Sequence, residues 1–338
     1  MLTAATSKEA SAMIFFITFL RALAACFITN AHYTGIYPTD LIANGGLIGD
    51  VLFFAVSGYC LYNVKYDLSA RGFAGWYGKR IWRVYPPVLI MTALFMVLGA
   101  YELSVDKGIV WWYIYPTYYH FVASIIILYI PFFFIMKIPA LRNRIPLLMG
   151  IIGVAWLAVY WLVYDRTYYH IDTVREPMIR FLFMESMLLG AWFRQNDRKL
   201  RNKFRAVNPV AAIVAFGIYF ASKLLFSKRS GLAPLQFLNQ IAIFVLLYFM
   251  FRTFCGLDEK LEKMPSWVKK IVQFLSDMTL EIYVVQYVII AVIRDLGLFF
   301  PLNWVVLTAS ILLAAFILHK VCEWMYSGVD KVLKENKA

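Results

Sequence analysis

Cysteine is scarce in this sequence, and its spacing carries no motif. The 338 residues include four cysteines, at positions 26, 60, 255 and 322, and none stands in a C-x-x-C pair. Scattered single cysteines of this kind predict neither a disulfide framework nor a zinc site. His120, His170 and His319 also have no Cys, Asp or Glu at a recognisable metal-ligand spacing. We therefore expect no metal cofactor.

Nucleotide-binding motifs and polar linkers are missing as well. The sequence contains no P-loop and no G-x-G-x-x-G, which argues against the common phosphate-binding loops. Only 16% of the residues are charged, and no Gly/Ser-rich or low-complexity segment separates one part of the chain from another. We therefore predict a single domain over residues 1–338, with no fused soluble domain.

The sequence instead contains many long apolar runs. Hydrophobic residues make up 62% of the chain and the mean hydropathy is +0.68. Apolar runs of about 18 residues or more are typical of transmembrane helices, and they recur from end to end. The sequence thus predicts an all-α, polytopic integral membrane protein of about ten spans. The spans are expected near residues 13–31, 46–64, 87–103, 121–137, 146–164, 178–194, 207–226, 235–252, 271–293 and 301–324.

The basic residues predict how the spans are oriented. The chain carries a net charge of +13. Starting with Lys8, 24 of the 33 Lys and Arg residues fall in the termini and in the loops after even-numbered spans, and only seven fall in the other loops. Since cytoplasmic loops are enriched in Lys and Arg, both termini are predicted to be cytoplasmic. The positive charge then reflects topology, and no nucleic-acid partner is expected.

The first predicted span carries one internal charge, Arg21, and ends at His32. Three helical turns separate them, so both fall within about 20° of one helix face, about 16 Å apart. An arginine inside hydrocarbon costs at least about 2.5 kcal/mol, so its side chain should face protein or a water-filled cavity. We therefore expect Arg21 and His32 to lie on one stripe of this helix that faces a cavity. His32 can act as a general base, with Asn30 nearby, or it is an interfacial histidine. Arg21 can hold an anionic group or stabilise a developing oxyanion, or it can form a structural ion pair, for example with Glu185.

A basic pair marks the predicted start of the third span. Arg80 and Arg83 lie on one helix face, and guanidinium groups suit phosphates. The alternative is a cytoplasmic anchor in which Trp82 and Tyr85 sit at the membrane interface.

The second predicted span combines small residues with two polar ones on one face. Asp50 and Ser57 are seven residues apart and share that face. His32 is predicted at the opposite membrane surface from Ser57, so a Ser–His catalytic pair is not expected, and Ser57 can equally serve packing. Close approach of a neighbouring helix is expected at Gly45, Gly46, Gly49 and Gly58.

Two further acidic positions stand out late in the chain. Asp277 and Glu281 are four residues apart in the ninth predicted span, so they are expected to be neighbours on one helix, in a functional or a paired structural role. Glu323 follows Lys320 by three residues and is expected to form a local surface pair.

Taken together, these stretches resemble membrane-bound acyltransferase family 3, most closely its bacterial members that O-acetylate surface polysaccharides. The similarity runs nearly end to end, and ten spans also match that family. The motifs that carry it are Arg21-x10-His32, Phe-Phe-x-x-Ser-Gly-Tyr ending at Tyr59, Lys79-Arg80-x-x-Arg83-x-Tyr-Pro, Glu-Ile-Tyr-x-x-Gln around Tyr283, and the late Glu323.

The resemblance implies an O-acyltransferase of the bacterial cytoplasmic (inner) membrane. Its donor would be acyl-CoA, usually acetyl-CoA, on the cytoplasmic side, and its acceptor a hydroxyl of a surface or exported polysaccharide or of a lipid-linked precursor. By this similarity His32 and Arg21 are the catalytic residues. Arg80 and Arg83 are placed to meet the donor's phosphates, and Ser57 is assigned to the same donor site. The expected partners are acyl-CoA, a polysaccharide or glycolipid acceptor, and membrane lipid.

The sequence departs from the family pattern at two positions. The family often has histidine where this chain has Gln286, and glutamine cannot exchange a proton near neutral pH. Many members read Gly-Val-Asp in the second span. Here the order is Gly49-Asp50-Val51, which moves the acid by about 100° around the helix. No role is carried onto Asp50 by the resemblance.

Two other functions stay open at this point. A transporter or flippase for polysaccharide or lipid-linked sugar would use the same intramembrane charges without acyl chemistry. The absence of an obvious internal repeat counts against the common transporter architectures. An acyltransferase acting on a cytoplasmic or lipid acceptor is a third possibility, which the predicted outer position of His32 disfavours.

Overall fold

The computed structural model describes residues 14–116, 118–173 and 177–335 of the chain. Lys8, Arg175 and Lys337, which were counted for the orientation of the spans, lie outside the described residues. Every regular element in the described part is helical, so the all-α class is confirmed. The long helices are α1 Phe15–Ala31, α2 Gly46–Leu61, α3 Ala70–Val97, α4 His120–Lys137, α5 Ile145–Leu162, α6 Ile179–Gln195, α7 Val207–Lys228, α8 Phe237–Gly256, α9 Ser266–Asp277, α10 Thr279–Asp295 and α11 Leu302–Glu335.

Apart from α3 and the α9–α10 pair, these helices occupy the predicted positions, but they do not all qualify as spans by length and composition. Six helices of the described chain are long and apolar enough to cross a membrane, and seven if the bent pair α9 and α10 counts as one. Helices α1 and α2 are apolar but have 17 and 16 residues, somewhat fewer than the roughly 20 that a span needs. The structure therefore supports a multi-pass membrane protein, while ten spans and cytoplasmic termini stay predictions.

Helix α3 corrects the predicted boundaries of the third span. It starts after Ser69, whose hydroxyl accepts a hydrogen bond from the Gly72 N–H at 3.0 Å, and it runs through Pro86 and Pro87. Because Pro87 has no N–H, the carbonyl of Arg83 loses its helical partner. The hydroxyl of Tyr326 in α11 donates to that carbonyl at 3.3 Å. The proline pair thus lies inside the helix, and the basic pair before it is helical.

The ninth predicted span is also different from expectation. It is broken at Met278, where α9 and α10 meet at 71°. Asp277 ends one helix and Glu281 lies in the first turn of the next, so the expected neighbour relation on one continuous helix is wrong. Asp277 instead accepts a hydrogen bond from the Gln273 amide at 2.7 Å.

Helix α1 contacts α2, α9 and α10, and α2 in turn packs against α6. The expected close approaches of the glycines are confirmed. A Cβ on Gly46 would come within 2.9 Å of the Ala31 Cβ, and one on Gly49 within 2.7 Å of the Ala24 carbonyl oxygen. A Cβ on Gly58 would overlap the backbone carbonyl of Met187 in α6. Backbone contact at these points fixes the register of α1, α2 and α6.

Replacing Gly58 by alanine is expected to lower the free energy of unfolding by about 1–3 kcal/mol, because the added Cβ forces α2 and α6 apart. Thermal unfolding of the purified protein in detergent measures the change. Gly217→Ala in α7 is the matched control, since nothing lies within 4 Å of its Cβ position. Equal melting temperatures for Gly58→Ala and wild type would contradict the tight α2–α6 contact.

Candidate active site

Several cavities open beside α1, and two of them together contain the five residues that the sequence predicted for the site. The first has a volume of about 480 Å³ and is called here the His32 cavity; His32, Asp50, Tyr118, Phe121, Tyr283 and Tyr287 are among its lining residues. The second has a volume of about 400 Å³ and is called the arginine cavity; Arg21, Ser57, Arg80, Arg83, Glu281 and His319 are among its lining residues. The structure therefore brings four predicted site residues together and places His32 apart from them.

His32 follows the last residue of α1 and faces the first cavity half-buried. Its ring meets the Tyr287 ring edge-on, with 5.0 Å between the ring centroids. Among the described residues no side chain forms a hydrogen bond or ion pair with the imidazole. Both ring nitrogens are thus available to a ligand in the cavity, as a general base requires.

The loop after His32 is held by its neighbour Asn30. The Asn30 amide donates to the carbonyls of Ile42 and Asn44 at 2.8 and 2.9 Å, and its oxygen accepts from the Tyr37 hydroxyl at 2.6 Å. None of these bonds is to the imidazole. Asn30 therefore positions the 33–44 loop, and within the described residues its side chain forms no hydrogen bond to the His32 ring.

The rim of the His32 cavity carries an ion pair. Lys223 of α7 lies 2.7 Å from Asp172, in the segment before α6. Asp50 also lines this cavity and is 7% exposed, yet no hydrogen bond or ion pair to it is found in the described part of the chain. The cavity thus combines one unpaired imidazole, one unpaired carboxylate and several tyrosine rings.

The arginine cavity gathers side chains from α1, α2 and α3. Arg21 contacts the Cys60 sulfur at 3.8 Å, and the guanidinium of Arg80 lies over the Trp76 ring at 5.8 Å. No ion pair involves either of them or Arg83 within the described ranges. Three unpaired guanidinium groups facing one cavity are suited to bind an anionic ligand with several oxygens.

The ion pair considered for Arg21 is not formed. Glu185 of α6 was its candidate partner, but its Oε1 atom lies 3.2 Å from the position that a Cβ on Gly153 would occupy. Glu185 thus faces α5, whereas Arg21 faces the arginine cavity. The reading of Arg21 as half of that structural pair is therefore wrong.

A histidine that the sequence did not single out lies in the arginine cavity between two acids. His319 Nδ1 is 2.9 Å from Glu281 Oε1, and its Nε2 is 3.4 Å from Glu323 Oε1. Glu323 also forms the expected local pair with Lys320, at 2.7 Å. The two carboxylates are thus engaged by His319 and Lys320 and leave the arginines free. No metal-binding group of three or more side chains occurs among the residues the structure describes.

An aromatic partition, formed by Phe53, Phe121 and Tyr283, separates the two cavities. The Phe53 and Phe121 rings are 4.4 Å apart, and the Phe121 and Tyr283 rings 5.7 Å. The two cavities lie close together, because Asp50 lines the His32 cavity and Phe53, only three residues later in α2, lines the arginine cavity. Arg21 and His32 therefore do not share one cavity, as the sequence suggested, but line two cavities whose aromatic walls are in contact.

Gln286 lies in α10 between Tyr283 and Tyr287 in sequence but lines neither cavity. It is fully buried, and neither atom of its amide has a partner in the described chain. The sequence gives Gln286 no proton-transfer role, and its position outside both cavities gives it none either.

Comparison with known proteins gives one family. A family model described as an acyltransferase domain matches residues 14–320, from the start of α1 into α11. No curated protein and no solved structure matches the chain. The matched range contains all lining residues of the His32 cavity and those of the arginine cavity except Glu323 and Tyr326. The resemblance drawn from the sequence motifs is confirmed. The chain belongs to acyltransferase family 3.

Proposed function

We propose that the protein transfers an acetyl group from cytoplasmic acetyl-CoA to a hydroxyl of a surface or exported polysaccharide, or of its lipid-linked precursor, in the bacterial cytoplasmic membrane. One observation carries the proposal. An unpaired imidazole and three unpaired guanidinium groups face two cavities that adjoin at the aromatic partition. A donor held in one cavity, with its arm reaching past the partition, can meet at His32 an acceptor bound in the other.

The arginine cavity suits the phosphate groups of the donor. Arg80 and Arg83 project from successive turns of α3, and Arg21 faces them from α1. Charge-assisted hydrogen bonds to phosphate oxygens are among the strongest that a protein side chain makes. Arg21 lies about 16 Å along α1 from His32, too far to stabilise an oxyanion formed there. We therefore assign Arg21 to the donor site, with Ser57 lining the same cavity.

The reaction takes place at His32 in this proposal. The long arm of acetyl-CoA extends through the partition and brings its thioester carbon to the imidazole. His32 takes the proton of the acceptor hydroxyl while the oxygen attacks that carbon. The new C–O bond forms, the C–S bond breaks, and the proton held by His32 passes to the departing sulfur. Acetyl ester and the free thiol of CoA are the products.

The experiment that tests this function measures the ester-linked acetyl content of the producing cell's surface polysaccharide by proton NMR. We expect acetyl to disappear on deletion of the gene and to return with the wild-type protein. Unchanged acetyl content together with a fall in the amount of exported polymer would overturn the proposal and favour a transporter or flippase.

A further inference from the structure

Asp50 is a buried acidic group of the His32 cavity to which neither the sequence nor the proposed reaction gives a role. It is 7% exposed and faces the cavity, and no side chain or backbone group of the described chain pairs with it. A buried carboxyl group without a partner is costly unless a ligand satisfies it. The question is which ligand group reaches it.

The packing of α2 against α1 shows how far Asp50 lies from His32 along the α1 axis. Gly46 packs against Ala31, the residue before His32, and Gly49 packs against Ile28 and Ala24. The two helices therefore run in opposite directions. Asp50 is four residues beyond Gly46, so it lies about 6 Å from the level of His32 in the direction of Arg21. It is thus at the end of the His32 cavity nearest the aromatic partition.

Only the donor passes this level in the proposed reaction. The acceptor reaches His32 from the opposite end of the cavity, while the arm of acetyl-CoA comes from the arginine cavity. The nearest hydrogen-bond donor on that arm is an amide N–H, about 5 Å from the acyl carbon in an extended chain, since two C–S bonds, one C–C bond and one C–N bond separate them. With the acyl carbon at His32, this N–H falls at the level of Asp50.

We propose that Asp50 binds the donor arm, its carboxyl oxygen accepting a hydrogen bond from the amide N–H nearest the thioester sulfur. This inference rests on the proposed function, since it takes the donor to be an acyl thioester that carries an amide. Asp50 then holds the thioester at the height of the imidazole. The residue adjacent to it, Val51, is fully buried in the core and has no such access.

The proposal differs from a role in orienting His32. An amide N–H needs only an oxygen acceptor, which asparagine also offers. A carboxylate that orients a catalytic histidine is not replaced by asparagine without a large loss of rate. Asp50→Asn and Asp50→Leu therefore separate the two roles. Leucine has a similar size and no acceptor.

The test compares three donors with purified full-length protein in detergent. They are acetyl-CoA, the acetyl thioester of N-acetylcysteamine, which keeps the amide, and S-pentyl thioacetate, which has the same chain length without it. The acceptor is chemically de-O-acetylated polysaccharide from the deletion strain. We expect Asp50→Leu to lower kcat/KM about tenfold for the two amide donors and not for S-pentyl thioacetate. Asp50→Asn is expected to stay near wild type with acetyl-CoA.

Each other outcome overturns the proposal. Equal losses for Asp50→Asn and Asp50→Leu with acetyl-CoA indicate a carboxylate that orients His32, and wild-type rates for both exclude a role in binding the donor. A lower melting temperature together with equal losses for all donors indicates a structural role. His32→Ala is measured in parallel. If the wild-type protein forms no acetyl ester with any donor, the proposed function itself fails, whereas an active wild type with an inactive His32→Ala and an indifferent Asp50→Leu overturns only this inference.

Discussion

Replacing His32 by alanine is expected to lower the rate of acetyl transfer by about 10²- to 10⁴-fold, the range that a positioned general base contributes. The imidazole faces its cavity without a hydrogen-bonding side chain among the described residues, so its loss removes proton transfer and leaves the packing of α1 intact. The release of CoA thiol in the presence of acceptor measures the rate. Matched amounts of folded protein are confirmed by thermal unfolding.

The control for shape is His32→Gln. Glutamine keeps a polar side chain of comparable length but cannot exchange a proton near neutral pH. We expect it to be as inactive as alanine. A glutamine variant with near wild-type turnover would show that His32 contributes hydrogen bonding or packing, and would remove it as the base.

Replacing Arg80 or Arg83 by alanine is expected to raise the KM for acetyl-CoA about ten- to a hundredfold per residue, because each loses charge-assisted hydrogen bonds to phosphate. The kcat should change much less, since neither side chain reaches His32. Steady-state kinetics at varied acetyl-CoA concentration measure both constants. The acetyl thioester of N-acetylcysteamine, which has no phosphate, should be used equally well by both variants and by wild type.

Lys79→Ala is the matched control for this pair. Lys79 is exposed on the same turn of α3, its ammonium group lies over the Tyr66 ring at 5.2 Å, and it is absent from the cavity lining. We expect its KM to stay near wild type. An equal rise in KM for all three variants would point to a general effect of surface charge on α3, and the arginine cavity would lose its assignment as the donor site.

The helical class and the positions of most helices could be predicted because apolar runs and the spacing of small residues are visible in the sequence itself. The glycines of α2 contact α1 and α6 as expected. The extent of α3 could not be read in the same way. Pro86 and Pro87 signal a helix boundary, and only the contact from Tyr326, distant in sequence, compensates for the missing hydrogen bond at the Arg83 carbonyl.

The site was only partly predictable for a similar reason. Arg21, Ser57 and the α3 arginines share a cavity, although the sequence placed Arg21 on one stripe with His32 and the α3 arginines at the start of another span. The contact between His319 and Glu281 depends on the register of two helices and on the break at Met278, neither of which the sequence pattern reveals. Asp50 was set aside because it departs from the family motif by one position.

Transfer between the two cavities is tested most directly with the full-length protein in sealed lipid vesicles. De-O-acetylated polysaccharide is trapped inside and isotope-labelled acetyl-CoA is added only outside. We predict labelled acetyl ester on the trapped polysaccharide with wild type and none with His32→Ala, while acetyl-CoA itself stays outside. Ester formation only when donor and acceptor occupy the same compartment would contradict transfer across the aromatic partition.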